Sequence, residues 1–344
     1  MKIYIYNIKR LVKQVLAYSL YYSGVLLLIK NITLKNKIII LTYHRVLPYR
    51  VRGQSFSHAA IMVDPGRFDR QLSFIKRHFN IISSATLINI FENNLQPQSS
   101  SCLITFDDGW EDNYIYAFPI LRKHSLPALI FTATDYLDSK KLFWQEAMGH
   151  GIRQLLDLNS DDSEKFLTKH NLQYIIHVSN DKRADLIRDY VRELKSMTYA
   201  ELDEMLRDII TILGDIDYSD VDSFMSSSQI KEMHKNGIEF GSHACSHKIL
   251  TRLDDQVVKN ELLQSKRHLH DMLSDEIDTI AYPNGDYNSH LGELTQAAGY
   301  RIGFGTNHGY VSLSDDKLNL KRININDTTA TNRPIMLATI LGIF

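Results

Sequence analysis

Two adjacent carboxylates follow an apolar run that has the character of a buried strand. The run extends from Leu103 to Phe106, and Asp107, Asp108 and Gly109 come directly after it in the segment S-C-L-I-T-F-D-D-G-W. One aspartate here could simply begin a turn or cap a helix. A second carboxylate beside it raises the pKa of one partner unless a cation lies nearby. The pair therefore indicates either an ordinary turn or a site that holds a cation.

Two histidines four positions apart follow a second strand-like run. His243 and His247 belong to S-H-A-C-S-H, which continues the run G-I-E-F-G. On a helical turn this spacing would place both imidazoles on one face, near enough to share a metal ion. Exposed or core histidines are the alternative. Two imidazoles and one carboxylate form a facial ligand set for Zn²⁺ or a similar divalent ion, and the second carboxylate is then free to act as a base.

A third polar segment, A-Y-P-N-G-D-Y-N at residues 281–288, also follows a strand-like run. Pro283 and Gly285 favour a sharp turn there. A backbone N–H at such a turn could stabilise an oxyanion, although an ordinary β-turn has the same residue types.

Strand-like and helical patterns alternate from Lys37 onward. The strand-like runs are 37–43, 101–106, 127–131, 237–241, 277–282, 301–305 and 319–325. Helical spacing separates most of them, as from Phe68 to Phe79 and from Val258 to Met272. This alternation predicts an α/β fold with a mainly parallel sheet, and about seven units favour a barrel over an open sheet.

Residues 138–225 interrupt the alternation and predict a domain division. They are polar, with helical patterns at 184–194 and 199–213, and we interpret them as a helical insert on one barrel loop. The barrel then comprises residues 37–137 and 226–330. An N-terminal amphipathic or membrane-associated helix at 1–36 and a C-terminal tail at 331–344 complete the chain.

The N-terminal segment is the part that points to a membrane. Lys2, Lys9, Arg10 and Lys13 precede an uncharged stretch at residues 14–29. This stretch is shorter than the roughly 20 residues that span a bilayer, and its tyrosines suit an interface. The alternatives are an interfacial helix or short anchor, a helix packed on the domain, and a secretory signal without an evident cleavage site. The location stays open between membrane-associated and cytoplasmic.

The composition excludes several classes of protein. The chain has 344 residues, 44% of them hydrophobic, with 7 prolines and a formal net charge of −1. A disordered chain is excluded, and no basic stripe predicts a nucleic-acid partner. Cys102 and Cys245 can pair only once, so no disulfide framework is implied. The oligomeric state stays open.

The three polar motifs, in this order and at these strand ends, resemble the polysaccharide deacetylases of the NodB-homology type, carbohydrate esterase family 4. The similarity covers about residues 37–136 and 226–325 and includes P-A-L-I-F-T-A and A-A-G-Y-R-I-G-F-G-T. It implies a distorted (β/α)7 barrel and metal-dependent removal of N-acetyl, less often O-acetyl, groups from sugar polymers.

The resemblance also implies roles for individual residues. Asp107 corresponds to the general base. Asp108, His243 and His247 correspond to the ligands of a divalent metal, with Zn²⁺ preferred. Tyr282 corresponds to the oxyanion donor through its backbone N–H.

The sequence departs from this family's pattern in two of its motifs. Ala281 stands where many members have an arginine that steadies the base. The C-terminal leucine-histidine motif is absent, and L-T-Y-H-R-V at the first strand end instead resembles exopolysaccharide deacetylases with a YH-x-V segment. We therefore predict His44 as the general acid, with His308 in T-N-H-G-Y as the alternative.

The sequence thus predicts a metal-dependent hydrolase that removes N-acetyl groups from a polysaccharide or a glycan precursor, and so acts on non-peptide carbon–nitrogen bonds. One alternative is a catalytically weak, metal-containing glycan-binding module. Another is an amidohydrolase for a small cyclic amide on the same barrel. A polymer substrate requires an open groove, whereas a small amide requires a closed pocket.

Overall fold

A computed structural model describes residues 2–97, 100–158, 160–218 and 220–344. Side chains are described from Leu11 onward, except at positions 180, 181 and 220, so the side chains of Lys2, Lys9 and Arg10 lie outside the described part. The chain divides into two compact units. The larger comprises residues 1–47, 59–139 and 224–344, and the smaller comprises residues 48–58 and 140–223.

A curled parallel sheet forms the centre of the larger unit. The described strands are β1 (Ile38–Tyr43), β2 (Arg45–Val46), β3 (Met62–Val63), β4 (Asn80–Ile81), β5 (Ser101–Phe106), β6 (Leu129–Thr132), β7 (Glu239–Ser242), β8 (Thr279–Ala281), β9 (Ile302–Phe304) and β10 (Ile323–Asn324). The sheet has the order β10-β1-β5-β6-β7-β8-β9, with β4 also paired to β5. Strands β2 and β3 pair separately.

The described helices lie between these strands and at both ends of the chain. In the larger unit they are α1 (Lys2–Tyr22), α2 (Val25–Thr33), α3 (Pro65–His78), α4 (Ser84–Glu92), α5 (Phe118–His124), α10 (Ser227–Lys235), α11 (Asp255–Leu273), α12 (Ser289–Ala297) and α13 (Arg333–Ile340). The smaller unit contains α6 (Trp144–Leu158), α7 (Asp161–Lys169), α8 (Asn180–Glu193) and α9 (Tyr199–Leu213).

The central strands are buried on both faces, which confirms the predicted α/β barrel. Every residue of β1 and of β5 is buried, as expected for parallel strands covered by helices. Val311 forms an antiparallel bridge to Ile38, and Leu320 forms a parallel bridge to Phe304. Residues 311–320 therefore connect the β9 side of the sheet to the β1 side and curl it into a distorted barrel.

The predicted strand at 319–325 is much shorter in the structure, where only Ile323–Asn324 pairs as β10. The preceding residues bond to β9 and to the loop after it instead, since the N–H of Leu320 donates to the carbonyl of Gly303 in β9 and that of Arg322 donates to the carbonyl of Asn307. The same chain segment therefore closes the barrel and continues into the sheet.

In the smaller unit, a buried carboxylate joins residues 48–58 to the helices. Asp222 accepts hydrogen bonds from Ser55 Oγ at 2.6 Å and from the backbone N–H of Phe56 at 3.2 Å. His150 Nε2 lies 2.9 Å from the same carboxylate. The sequence pattern assigns residues 48–58 to the barrel. Their hydrogen bonds to the helices join residues far apart in the chain, and a sequence pattern does not report such contacts. The predicted domain boundaries stay a prediction.

The segment predicted as a C-terminal tail contains helix α13. Met336, Leu337, Ala338 and Ile340 of this helix are buried in the main core of the larger unit. Asn332 caps the helix by accepting from the N–H of Ile335 at 3.1 Å. An apolar helix with a cap requires a packing surface, so this segment is part of the core.

The N-terminal segment forms two helices and not the single helix predicted, and its contact with a membrane stays a prediction. Gly24 adopts a left-handed conformation with φ 80°, and the helices on either side of it are bent by 81°. Ala17, Leu26 and Leu34 are buried in the core. Among the described helices, no single one is long and apolar enough to cross a membrane, and this pair meets the criterion only as a bent pair, by length and composition.

One side of this helix pair carries apolar side chains that the rest of the protein does not cover. We call them the exposed apolar face: Leu11, Val12, Val15, Leu16, Tyr18, Tyr22, Val25, Leu28 and Ile32. Their exposed fractions run from 37% for Val25 to 75% for Tyr22. Surface apolar residues are normal one at a time, whereas a contiguous set indicates an interaction surface.

Candidate metal centre

The aspartate pair lies where β5 ends, and a tight turn separates the two carboxylates. The backbone N–H of Asp107 donates to the carbonyl of Tyr43 at 3.0 Å and so continues the pairing with β1. Asp108 and Gly109 then adopt left-handed conformations with φ 77° and 80°. A Cβ atom on Gly109 would come within 2.9 Å of the Thr132 side chain, so glycine is required there for space as well as for conformation.

Asp108, His243 and His247 converge on one point at the carboxyl ends of β5 and β7. Asp108 Oδ1 lies 3.4 Å from His243 Nε2 and 3.3 Å from His247 Nε2. The three potential ligand atoms lie within 4.8 Å of one another. His243 Nδ1 donates to the carbonyl of Ala281 at 2.7 Å, which directs its Nε2 toward the other two residues. One carboxylate and two imidazoles at this spacing fit a divalent cation.

The ionisation of these groups reflects their burial and their mutual contacts. Burial alone would raise the pKa of Asp108, but hydrogen bonds from His243 and His247 hold this pKa well below its usual value. Burial alone would lower the pKa of His243, yet the Asp108 and Asp107 carboxylates raise it. A cation must displace a proton from such a histidine, so binding of a cation here depends on pH.

Trp110 orients the Asp108 carboxylate. Its indole Nε1 donates to Asp108 Oδ2 at 2.9 Å, which leaves Oδ1 directed at the histidines. The indole is stacked on Phe224 with ring centroids 4.4 Å apart, and the Arg45 guanidinium carbon lies over the indole, 4.2 Å from the ring centroid. No role for Trp110 is predicted from the sequence. The available signal is an indole, which can only donate, two positions after a carboxylate.

The histidines lie on an irregular loop, so the predicted helical turn is wrong. Ala244 and His247 have left-handed φ values of 61° and 56°. Glu261 of α11 accepts from the backbone N–H groups of Cys245 and Ser246 at 2.8 and 2.9 Å, and from Ser246 Oγ at 2.6 Å. These donors have no sheet partner, and one carboxylate satisfies all three. Glu261 therefore holds the loop that carries both histidines.

Arg322 forms a buried, two-pronged ion pair with Asp107. Its Nη1 and Nη2 donate to the two carboxylate oxygens at 2.7 Å each, and its Nε donates to the carbonyl of Gly305 at 2.7 Å. The two side chains are only 1% and 3% exposed. Burial would raise the pKa of Asp107, but the positive charge of Arg322, followed by His243 and His44, lowers it.

This ion pair supplies the contact that the family arginine, replaced here by Ala281, makes with the base. An arginine does reach the predicted base, but it comes from the residue before β10 and not from the end of β8. Arg322 lies in the predicted strand 319–325, two positions after the buried Leu320, where alternation places a side chain inside the barrel. A charged residue at an inward position is the signal that sequence reasoning missed.

His44 lies directly after β1 and beside the predicted base. Its Nε2 is 3.8 Å from Asp107 Oδ2, and its side chain is 19% exposed. Asn113 Nδ2 donates to the His44 carbonyl at 2.8 Å, and the adjacent Arg45 donates through Nε to Asp112 at 2.7 Å. These buried hydrogen bonds fix the backbone at His44 and Arg45, and so position the His44 side chain.

Tyr282 and His308 are placed less favourably for their predicted roles as oxyanion donor and general acid. The backbone N–H of Tyr282 already donates to the Phe304 carbonyl at 3.1 Å, and its hydroxyl donates to the Leu318 carbonyl at 2.8 Å. It would have to share that N–H with an oxyanion, and this role stays a prediction. His308 is exposed near Gly342 and forms no hydrogen bond or ion pair with any residue that the structure describes.

Comparison with known proteins gives relatives over most of the chain. The Bacillus subtilis (strain 168) protein YxkH, named as a candidate polysaccharide deacetylase, is 23% identical over 230 residues, which cover 67% of this chain and 53% of YxkH. The chain thus spans about half the length of that curated relative.

Solved structures with the same fold cover nearly the whole chain. Streptococcus pyogenes deacetylase PplD, in complex with acetate, has a TM-score of 0.57 at 22% identity and covers 88% of this chain and 98% of its own. IcaB from Ammonifex degensii has a TM-score of 0.56 at 16% identity, covering 89% and 97%. A de-N-acetylase from Aggregatibacter actinomycetemcomitans has a TM-score of 0.56 at 13% identity, covering 88% and 99%. At such identities these structures show a common fold.

A family model described as "Polysaccharide deacetylase" matches residues 94–303, which is more than half of the chain. The match includes the aspartate pair at the end of β5, the histidine loop after β7 and the turn after β8. Since the barrel predicted from the resemblance is also the observed fold, this chain belongs to the polysaccharide deacetylase family.

Proposed function

We propose that the protein is a divalent-metal-dependent hydrolase that removes N-acetyl groups from a polysaccharide or a glycan precursor. One observation carries this proposal: Asp107 lies beside the Asp108, His243 and His247 cluster without belonging to it, and is held by Arg322. Hydrolysis of an amide needs such a separate base next to an electrophilic centre. The name of the A. actinomycetemcomitans neighbour, a de-N-acetylase, supports the N-acetyl group as the target.

Each residue at the site has a distinct task in this proposal. Asp108, His243 and His247 would hold the cation, and Zn²⁺ suits a set of one carboxylate and two imidazoles. When bound, such an ion polarises a carbonyl and lowers the pKa of water. Asp107 takes a proton from the attacking water, and Arg322 keeps Asp107 ionised and fixes its orientation.

His44 completes the proton balance of the reaction. Cleavage of the amide bond releases an amine that must gain a proton, and the proton taken from water must leave the base. His44 Nε2 lies 3.8 Å from Asp107 Oδ2 and the His44 side chain is partly exposed, so it is near the base and can exchange protons with solvent. We assign it the general-acid role, with an extracellular polysaccharide as the preferred substrate class because of the L-T-Y-H-R-V segment.

One reason for the glycan-binding alternative was the missing arginine at Ala281, and Arg322 weakens that reason. The absence of the family arginine at Ala281 suggested a weakly tuned base, but Arg322 makes the same kind of contact from another element. The bidentate guanidinium keeps Asp107 ionised and fixed in orientation, and a general base requires both.

We further propose that the exposed apolar face of α1 and α2 lies on a membrane surface. The face contains two tyrosines, Tyr18 and Tyr22, which suit the boundary between lipid and water. Because Ala17, Leu26 and Leu34 of the same segment are buried in the core, the helices stay attached to the barrel while their other side contacts lipid.

The substitution of Asp107 by Asn tests whether the role of the base is distinct from that of the metal ligands. Asp107→Asn should lower acetate release from N-acetylated oligosaccharides by about 100-fold or more, the range for loss of a general base, and should keep the bound metal. His243→Ala should lose the metal, as should the wild type after chelation. Elemental analysis and an acetate assay test both, and equal metal loss in the two variants would refute this division of tasks.

Removal of Arg322 should affect stability and turnover together. Arg322→Met leaves a buried, unpaired carboxylate, so we expect a loss of about 3–5 kcal/mol in the free energy of unfolding by urea, and reduced acetate release. Arg301→Met is the control, because Arg301 pairs with Asp278 at 2.9 Å and with Glu92 but is 42% exposed. The control should lose at most about 1 kcal/mol. Similar losses in the two variants would show that the buried pair is not a critical contact.

Substitution of the two candidate acids tests their assignment. His44→Ala should lower turnover by about 100-fold with metal content unchanged, since it removes the proton donor for the amine. His308→Ala should retain nearly full activity, because His308 is exposed and unpaired among the described residues. Strongly reduced turnover in His308→Ala, together with nearly full turnover in His44→Ala, would reverse the assignment.

Polar substitutions on α2 test the membrane contact. Leu28→Ser with Ile32→Ser, at side chains 60% and 69% exposed, should release the protein from membranes in a fractionation experiment. Acetate release from a soluble oligosaccharide should persist. Val257→Ser with Leu263→Ser on α11, 43% and 51% exposed, is the control and should leave fractionation unchanged. A wild type that fractionates as freely soluble would contradict the proposal.

A further inference from the structure

A cavity of about 430 Å³ lies between α1, α3 and the start of α13. Its lining includes three arginines, Arg67, Arg70 and Arg333, and tyrosines of α1. Among the residues that the structure describes, no acidic side chain lines this cavity. The volume falls within the range of small-ligand pockets, and the charge favours an anion.

Two of the three arginines have no counterion among the side chains that the structure describes. Arg67 is paired with Asp327, whose carboxylate lies 3.3 Å from Arg67 Nη1. Within the described ranges, Arg70 and Arg333 form neither an ion pair nor a hydrogen bond, and both are exposed. Guanidinium groups bind phosphate with paired, charge-assisted hydrogen bonds, so two such groups at one cavity suit a phosphate.

A buried acceptor in the same cavity indicates a second polar contact. Gln71 is 5% exposed, and its Nε2 donates to the Ala330 carbonyl at 2.9 Å. Its Oε1 is buried and accepts no hydrogen bond in the described part of the chain. A buried acceptor without a partner is unfavourable, and a small rotation of the Gln71 side chain into the cavity would let a ligand hydroxyl satisfy it.

The cations around α3 extend beyond the cavity lining. Burial, and then the positive charges of Lys30, Arg77 and Arg333, lower the pKa of His78 at the end of α3. Lys30 Nζ also donates to the His78 carbonyl at 2.8 Å. The positive charge thus belongs to a region and not to a single side chain.

The cavity is continuous with the exposed apolar face. Tyr18 and Tyr22 line the cavity and are 42% and 75% exposed members of that face. An occupant of the cavity therefore meets cations and a buried acceptor on one side and apolar side chains on the other. A membrane lipid with an anionic headgroup has this combination of chemistry, whereas a free phosphate lacks the apolar part.

We propose that this cavity binds the phosphate-bearing headgroup of an anionic membrane lipid. Arg70 and Arg333 contact the phosphate, and Gln71 Oε1 accepts from a headgroup hydroxyl. The proposal rests on the membrane contact proposed above and deepens it, because it predicts which lipids the protein prefers. The preference would bring the barrel to anionic regions of a membrane surface.

Flotation of the full-length protein with lipid vesicles tests the proposal. One set of vesicles contains phosphatidylcholine alone, and the other contains phosphatidylcholine with phosphatidylglycerol. Two arginines near an anionic surface predict about 30-fold tighter binding to the second set. Arg70→Ala with Arg333→Ala should remove most of this preference and leave acetate release from a soluble oligosaccharide unchanged.

Two further variants separate the cavity from general surface charge. Lys259→Ala with Arg267→Ala removes the same charge from exposed positions on α11 and should keep the preference. Gln71→Met changes no charge and should weaken binding to phosphatidylglycerol vesicles several-fold, with folding checked by thermal denaturation. An unchanged preference in the Arg70 and Arg333 double variant, or an equal loss in the α11 variant, would overturn the proposal.

The remaining outcomes also distinguish the proposals from one another. Equal binding of the wild type to both vesicle sets would refute headgroup recognition and leave the membrane contact intact, whereas binding to neither would refute both. If millimolar inorganic phosphate, but not sulfate at matched ionic strength, abolishes the preference and raises the thermal midpoint, the cavity takes a free phosphate and the lipid assignment is wrong. Loss of catalysis in Asp107→Asn should not alter binding to vesicles.

Discussion

The burial of two neighbouring carboxylates at the end of β5 is the constraint that the rest of the site must satisfy. Asp107 and Asp108 are 2% and 6% exposed, and neither could stay ionised at such burial without a cationic or hydrogen-bonding partner. The left-handed turn at Asp108 and Gly109 directs the two side chains to separate partners. Arg322 takes one carboxylate, and the two histidines with Trp110 take the other.

This separation gives two chemically similar groups different properties. Both oxygens of Asp107 are held by a guanidinium, so its position is fixed and its charge is balanced. Asp108 has one oxygen occupied by an indole N–H and one that faces His243 and His247. A base and a metal ligand can therefore be adjacent in the chain, because their environments and not their chemical identity set their roles.

Elements outside the barrel strands supply much of what holds these groups. Glu261 on α11 organises the histidine loop, and Arg45 with Asp112 anchors the segment after His44. The N-terminal helices contribute core residues on one side and an exposed apolar face on the other. The same helices therefore pack on the barrel and place tyrosines beside a cavity whose arginines come from α3 and the start of α13.

The sequence by itself determined the parallel α/β fold and the residues that converge at its strand ends. Hydrophobic runs followed by short polar motifs are local signals, and the fold brings the ends of parallel strands together. A cluster of His243, His247 and one carboxylate of the aspartate pair was predictable for this reason, and the family resemblance implied that the carboxylate is Asp108. The sequence shows apolar residues in the predicted tail and a glycine at position 24. It did not show that the tail forms a helix packed on the core, or that the N-terminal helix breaks at Gly24.

Only the tertiary structure decided which residue pairs with the base and how the histidine loop is held. Arg322 and Asp107 are separated by 215 positions in the chain, and Glu261 lies 15 positions from Ser246 on a different element. Sequence periodicity reports which face of an element is buried, but not which side chain from another element meets it. Such contacts arise when the barrel closes, because closure alone brings the residue before β10 within reach of the end of β5.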